Sequence, residues 1–290
     1  MTRTAAPLVA WLYVPGDRPE RFTKAIDSGA DAVILDLEDA VLPAAKEAAL
    51  DNVVAFLRER ESDERRVQVH VRMNAPRGER GAADAAALAT VRPDGVRVPK
   101  VESPEDVDAV VAMVGEGVPV DCLLESALGV ENAAVIAAHP AVRSLALGEA
   151  DLTAELSLRG DGAFSWLRTR IVVASAAAGL AAPGMAAYVD VRDTEGLYAS
   201  CLRGRELGMF GRSAIHPRQV PVIRRAFRPT EEEVARAREI AEAAEGASAE
   251  STRGGGAIAL ADGRFIDAPV VTAALRTLAL AESIGDHEPG

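Results

Sequence analysis

Short apolar runs recur along most of the chain, at Val9–Val14, Ala32–Leu37, Val67–Arg72, Gly95–Val101, Val120–Glu125, Ser144–Leu147, Ala187–Asp190 and Arg212–Ile215. Between them lie segments with apolar residues at helical spacing: Pro19–Ser28, Pro43–Arg60, Ala82–Thr90, Pro104–Val114, Asn132–Ala138, Phe164–Gly179, Thr194–Leu207 and Pro217–Phe227. Strand runs alternating with helical patterns predict βαβ units and a parallel sheet. Eight such units suggest an α/β fold of the (β/α)₈ TIM-barrel type, with a doubly wound open sheet as the alternative on pattern alone. The runs are apolar without strict alternation, as strands covered by helices require.

Local punctuation agrees. Ser103-Pro104-Glu105 offers a cap, a first-turn proline and an acid ahead of the helix that ends at Val114. Gly29, Gly179 and Gly208 stand where helices should stop. After the eighth run come a helix at Thr230–Ala244, a polar linker at Glu245–Arg253, and two short apolar runs, Ala257–Leu260 and Arg264–Ile266, joined by Ala261-Asp262-Gly263. Asp-Gly between apolar runs is a hairpin signal. A last helix runs from Pro269 to about Ile284. The chain therefore divides into a barrel domain, 1–228, and a helix–hairpin–helix extension, 229–290, that must pack somewhere. A neighbouring subunit is one option.

Composition narrows the chemistry. With 290 residues, 49% of them hydrophobic and 26% charged, the chain can build a sizeable core under a solvated surface. A net charge of −12 and a pI near 4.9 argue against nucleic acid or an anionic membrane as partner. No run of 18 apolar residues is present, and the segment before the first strand is too short for a signal peptide. Cys122 and Cys201 show no metal-ligand spacing and read as reduced, buried thiols of a cytoplasmic protein.

The candidate chemistry lies at the carboxyl ends of the runs, the face that carries catalysis in a (β/α)₈ enzyme. Leu123-Leu124-Glu125 and Leu147-Gly148-Glu149-Ala150-Asp151 each end an apolar run on a carboxylate, and one helix separates them. Glu125 and Asp151 are therefore candidate ligands for Mg²⁺, which takes one or two protein carboxylates plus substrate oxygens and water. Each could instead pair with a basic neighbour or cap a helix. Arg72 is the best candidate anion binder, because its planar fork suits a carboxylate or a developing alkoxide. Asp36, Glu38, Asp39 and Lys100 read as partners that orient Arg72, each other or metal-bound water, or as plain ion pairs. Tyr13, Arg18 and Lys24 could hold a phosphorylated cofactor tail. His216 before Pro217 could be a base or could fix its loop, and His70 reads as a satisfied core histidine. The glycines lack dinucleotide-binding spacing.

Several motifs occur in order: Leu12-Tyr13-Val14-Pro15-Gly16, Ile34-Leu35-Asp36-Leu37-Glu38-Asp39-Ala40-Val41, Val71-Arg72-Met73-Asn74, Val98-Pro99-Lys100-Val101, Leu124-Glu125-Ser126-Ala127-Leu128-Gly129-Val130, Gly148-Glu149-Ala150-Asp151-Leu152 and Ile215-His216-Pro217. Together they resemble the citrate lyase β-subunit-like branch of the HpcH/HpaI aldolase family, which includes malyl-CoA and citramalyl-CoA lyases. The resemblance runs from Val9 to about Arg228, with a further motif at Gly263-Arg264-Phe265-Ile266-Asp267-Ala268-Pro269. It implies a homotrimeric TIM barrel that uses Mg²⁺ to make or break a carbon–carbon bond. The family's metal ligands fall on Glu125 and Asp151 and its substrate-binding arginine on Arg72. Its CoA-binding positions fall near Tyr13, Lys24, Ile215 and His216. Its catalytic acid/base, supplied by the next subunit, falls on Asp267. Two departures stand out: Ala49 is followed by Leu50 where an arginine is usual, and Thr153–Ser157 lacks the usual glycine.

What the resemblance implies is reversible cleavage of a 3-hydroxyacyl-CoA to acetyl-CoA and a 2-oxoacid such as glyoxylate or pyruvate. A malyl-CoA thioesterase, an aldolase for free hydroxy-acids, and a subunit needing an acyl-carrier partner are the rival readings.

Overall fold

The structure is a computed structural model that describes residues 8–60, 67–250, 258–259 and 265–285. Seven strands form one parallel sheet: β1 (Ala10–Pro15), β2 (Ala32–Asp36), β3 (Gln68–Arg72), β4 (Gly95–Val98), β5 (Val120–Leu124), β6 (Val142–Leu147) and β7 (Arg212–Ala214). Their spatial order is β6-β5-β4-β3-β2-β1-β7. The connections are helical: α1 (Phe22–Ile26), α2 (Lys46–Glu59), α3 (Glu79–Leu88), α4 (Pro104–Val114), α5 (Ala127–Glu131), α6 (Ala133–Ala137), α7 (Glu149–Leu156), α8 (Ser165–Ala177), α9 (Thr194–Glu206) and α10 (Gln219–Phe227). Gly29, Gly179 and Gly208, read as helix stops, all lie at positive φ.

The strands bury both faces. Val33, Leu35, Val69, Val71, Val96 and Val98 alternate toward the helices and are almost wholly excluded from solvent. Each such side chain is worth about 1.5–3 kcal/mol of burial. The opposite face is concave and unusually polar. Parallel register sets Asp36, Arg72, Arg97 and Asp121 side by side across β2 to β5. The curl is strong. Arg97 Nη1 on β4 reaches Ser213 Oγ on β7 at 3.3 Å, although four strand spacings in a flat sheet would separate those strands by about 19 Å.

Below the cleft, His70 is fully buried, with Nδ1 2.9 Å from Asp121 Oδ2, Nε2 2.9 Å from Gln68 Oε1 and its ring edge-on to Trp11. Arg143 joins the cluster through Nε to Asp121 Oδ1 at 3.0 Å. Burial pushes the His70 pKa down, against the pull of Asp121. Burial alone would raise Asp121, but His70 and the guanidinium charges of Arg143 and Arg97 hold it far below the usual carboxylate range.

Two expectations need correction. Ala187–Asp190 is not a strand: a single parallel bridge, Met185 to Arg212, is all that pairs there. The reason is local. The carbonyls of Ala186 and Tyr188 accept from side chains, Arg212 Nε at 2.9 Å and Gln219 Nε2 at 2.7 Å, instead of from a ladder. Asp190 then turns the chain by accepting from the amide of Arg192. The fold is thus a parallel α/β architecture with seven strands in a curled sheet, not eight. The second correction concerns Asp151, which lies in the first turn of α7 and not at a strand end. That helix ends at Ser157 with φ 53°, the left-handed conformation that normally suits glycine.

Residues from Arg228 onward form a second unit, apart from Leu8–Phe227. It comprises α11 (Glu231–Glu250), the antiparallel pair β8 (Ile258–Ala259) and β9 (Phe265–Ile266), and α12 (Ala268–Gly285). Thr230 and Glu233 cap α11 reciprocally: Glu233 N donates to Thr230 Oγ1 at 3.1 Å and Thr230 N to Glu233 Oε2 at 2.8 Å. Ala237, Ile240, Ile266 and Ala274 form its small core. The expected Asp262-Gly263 turn lies outside the described residues.

Candidate active site

The carboxyl ends of the strands open into a cleft of about 770 Å³ whose walls include Tyr13, Asp36, Arg72, Glu125, Asp151 and Ile215. Arg72, at the end of β3, is held in plane by Asp36 at the end of β2: Nε to Oδ1 at 2.7 Å and Nη2 to Oδ2 at 2.6 Å. Asp36 is fixed in turn by the amides of Glu38 and Ala40. Arg72 Nη1 lies 3.1 Å from Glu38 Oε2 and 3.3 Å from Asp39 Oδ2. The guanidinium is thus held rigid among three carboxylates, and among the described residues the second N–H of Nη2 is the donor left for an anion. Lys46 steadies the loop beneath, its Nζ donating to the carbonyls of Leu37 and Glu38 and to Asn74 Oδ1.

Glu125 follows β5 and is 6% exposed. Burial, then the negative charges of Glu38 and Asp151, raises its pKa to about 8. Glu38 is raised to about 7, again by burial first, although Arg72 opposes the shift. Three carboxylates therefore crowd one region with too little positive charge, a donor set that suits a hard cation. Among the described residues no three His, Cys, Asp or Glu side chains form a complete metal cage. A cation held here would draw its remaining oxygens from substrate and water, as Mg²⁺ commonly does. Glu149, next to Asp151, is already engaged: Arg168 takes it through Nε at 2.8 Å and Nη2 at 3.0 Å, and also binds Asp161. Among the described residues that leaves Glu125 and Asp151 as the cleft-lining carboxylates without an ion-pair partner.

Glu125 and Asp151 also border a smaller cavity of about 330 Å³, lined by Pro76, Arg77, Lys100 and Ser126. Lys100 has φ 56°, a strained setting for a side chain of its size, and its Nζ lies 3.9 Å from Glu38 Oε1.

Other candidates fall elsewhere. Lys24 is exposed on α1 and borders neither cavity. His216 accepts from the amide of Arg218 through Nδ1 at 3.1 Å, fixing the turn after β7. Asp267 belongs to the second unit, where its Oδ1 accepts from Val270 N at 3.3 Å and its carbonyl from Val271 N at 3.1 Å, capping α12. Sequence reading overlooked Arg97, Asp121, Arg168 and Asp161. A lone charge inside an apolar strand, as in Gly95–Val98, is the signal that could have found Arg97.

Comparison with known proteins meets this geometry. The family model of HpcH/HpaI aldolase/citrate lyase matches residues 10–217. A (3S)-malyl-CoA thioesterase of Cereibacter sphaeroides is 36% identical over 287 residues, 98% of each chain. An L-malyl-CoA/beta-methylmalyl-CoA lyase from the same organism is 33% identical over 294 residues, 91% of each. The crystal structure of CitE from Mycobacterium tuberculosis with magnesium, acetoacetate and coenzyme A superposes with a TM-score of 0.79 at 35% identity, covering 96% of this chain and 99% of that one. With the sheet, the strand-end carboxylates and Arg72 all falling inside the matched region, the chain belongs to the HpcH/HpaI aldolase/citrate lyase family.

Proposed function

We propose that this chain is a Mg²⁺-dependent carbon–carbon lyase for 3-hydroxyacyl-CoA thioesters of the malyl or citramalyl type, releasing acetyl-CoA and a 2-oxoacid. The observation that carries the reading is the meeting of Glu125 and Asp151 on a cleft that also presents the oriented guanidinium of Arg72. Glu125 and Asp151 would hold the cation. When bound, Mg²⁺ supplies Lewis-acid polarisation of the substrate's hydroxyl and carboxylate oxygens. Arg72 binds the oxoacid carboxylate and offsets charge that develops on the neighbouring oxygen. Asp36 keeps Arg72 in place, and Glu38, Asp39 and Lys100 set the charge balance around it. As the carbon–carbon bond breaks, the hydroxyl proton passes to water and the bonding pair to the thioester enolate, whose carbon takes a proton from Asp267; in the condensation direction Asp267 removes it. In this reading 1–228 is the catalytic domain, and 229–290 delivers Asp267 to the next subunit of a homotrimer. By the family resemblance coenzyme A binds near Tyr13, Lys24, Ile215 and His216, of which Tyr13 and Ile215 line the cleft.

Hydrolysis of the same thioester is the second reading, favoured by the 36% identity to a malyl-CoA thioesterase. Mass spectrometry of products from malyl-CoA and citramalyl-CoA, with Mg²⁺ and with EDTA, separates the two. Metal-dependent acetyl-CoA with glyoxylate or pyruvate supports the lyase. Free CoA with intact hydroxy-acid replaces it with the thioesterase, and no product in any arm refutes both.

A further inference from the structure

The floor of the cleft rests on a cation that the proposed chemistry does not use. Arg97 is 4% exposed, and its Nε has no hydrogen-bond partner. Among the described residues no carboxylate stands within ion-pair distance of it. Asp121, its neighbour in the β4–β5 register, feels its charge but is engaged by His70 and Arg143, so the buried guanidinium has no ion pair of its own and the position calls for a compensating role.

What Arg97 holds is specific. Its Nη1 donates to the Tyr13 hydroxyl at 3.1 Å and to Ser213 Oγ at 3.3 Å. Its guanidinium lies 4.6 Å from the Trp11 ring centroid and 5.7 Å from that of Tyr13. Tyr13 and Ser213 both line the cleft. The guanidinium of Arg72 also lies over the Tyr13 ring, 5.0 Å from its centroid. The phenol is therefore gripped by two cations. Its oxygen accepts from Arg97, while its own O–H donates to no described residue. A hydroxyl that accepts from a cation is a stronger donor in turn.

We propose that the Tyr13 O–H donates a hydrogen bond to a carboxylate oxygen of the 2-oxoacid bound beside Arg72, and that Arg97 is the positioning residue that aims and polarises it. The inference rests on the lyase reading for the class of ligand. It assigns Tyr13 to the reacting end of the substrate, where family resemblance would put it against the coenzyme.

The test is calorimetric titration of the full-length protein, saturated with Mg²⁺, with pyruvate as the probe. Tyr13→Phe should weaken binding about tenfold, as loss of one charge-assisted hydrogen bond does. Arg97→Met should cost as much, Arg97→Lys less, and the double variant no more than Arg97→Met alone, since the two side chains act as one unit. Labelling tyrosine at Cζ adds a readout that packing alone would not move: pyruvate should shift the Tyr13 resonance in wild type, less in Arg97→Lys, and not in Arg97→Met. Pyruvate affinity within twofold of wild type in Tyr13→Phe overturns the proposal and leaves the lyase reading intact. Tight pyruvate binding with no turnover of any acyl-CoA removes the lyase reading while sparing the hydrogen bond. Failure of wild type to bind pyruvate overturns both.

Discussion

A methyl group placed on Gly148 would lie 2.5 Å from Glu125 Cγ and 2.9 Å from Glu125 Oε1. The glycine before α7 is therefore what lets the Glu125 carboxylate occupy its position. Gly148→Ala should displace that carboxylate and lower Mn²⁺ or Mg²⁺ affinity at least about tenfold, the scale on which disturbed ligand orientation acts. Titration followed by metal relaxation measures it. An unchanged affinity would show that Glu125 is not a ligand.

Asp36 and Arg72 form a bidentate pair with Asp36 wholly buried. Asp36→Asn keeps the shape but removes the charge and one acceptor. Arg72 should then swing toward Glu38 and Asp39, and kcat/KM should fall about a hundredfold or more, the cost of removing one partner of a buried charge pair. Glu38→Gln, at the other edge of Arg72, should cost less. Steady-state kinetics of the two variants gives the order directly.

Arg168 is buried and serves two acids, Glu149 and Asp161, the second shared with Arg203. Arg168→Met leaves a half-buried carboxylate without its partner. Stability should fall by about 3–5 kcal/mol, the range for breaking such a pair. Glu149→Gln should cost less, because Arg168 retains Asp161. Urea midpoints of the three proteins check the ranking.

The pH dependence of stability should carry the mark of His70. Its folded-state pKa is depressed by burial, with Asp121, Arg143 and Arg97 as the facing charges. Between the unfolded value near 6.5 and the lower folded value, the unfolded chain binds a proton that the folded chain refuses. Stability from this group is therefore full above about pH 6.5 and declines as the pH falls, by up to about 1.4 kcal/mol per unit. Asp121, also depressed, adds a second decline below about pH 4. Denaturation curves at pH 7.5, 6 and 5 should show a shallower slope for His70→Gln than for wild type, and equal slopes would remove His70 from the account.

Asp267 caps α12 in its own unit. Asp267→Asn preserves the cap, whereas Asp267→Ala costs about 1 kcal/mol of helix stability. If Asp267 moves the proton, both variants should lose turnover by several orders of magnitude while Mg²⁺ and pyruvate still bind. Retained activity in Asp267→Asn would leave the cap as its only role.

Much of this molecule is legible in its sequence, and the misses have physical causes. Six apolar runs and β7 match strands because both faces of each are buried, and the apolar residues toward the helices mark most of them even where the cleft face is charged. Ala187–Asp190 misled because it is apolar yet finds its hydrogen bonds in Arg212 and Gln219 side chains. Glu149–Leu156 went unseen as a helix because Leu152 is its single buried residue, too few to set a period. Arg72 and Glu125 could be found because each ends a run. Arg97 leaves a signal, a lone charge in an apolar run, but its role does not show, because Tyr13 and Ser213 lie far away in sequence, as do the partners of Asp121.

The stretch from Ala186 to Val189 borders the cleft without belonging to any ladder. A one-residue slip in β2 or β3 would turn Asp36 or Arg72 to the opposite face and erase the site. An insertion between Ala186 and Val189 shifts no strand register and disturbs the carbonyl contacts to Arg212 and Gln219 rather than a ladder. Variation can therefore accumulate there without moving Asp36 or Arg72. It is the place where descendants of this chain can reshape the cleft while the charged groups at the strand ends stay fixed.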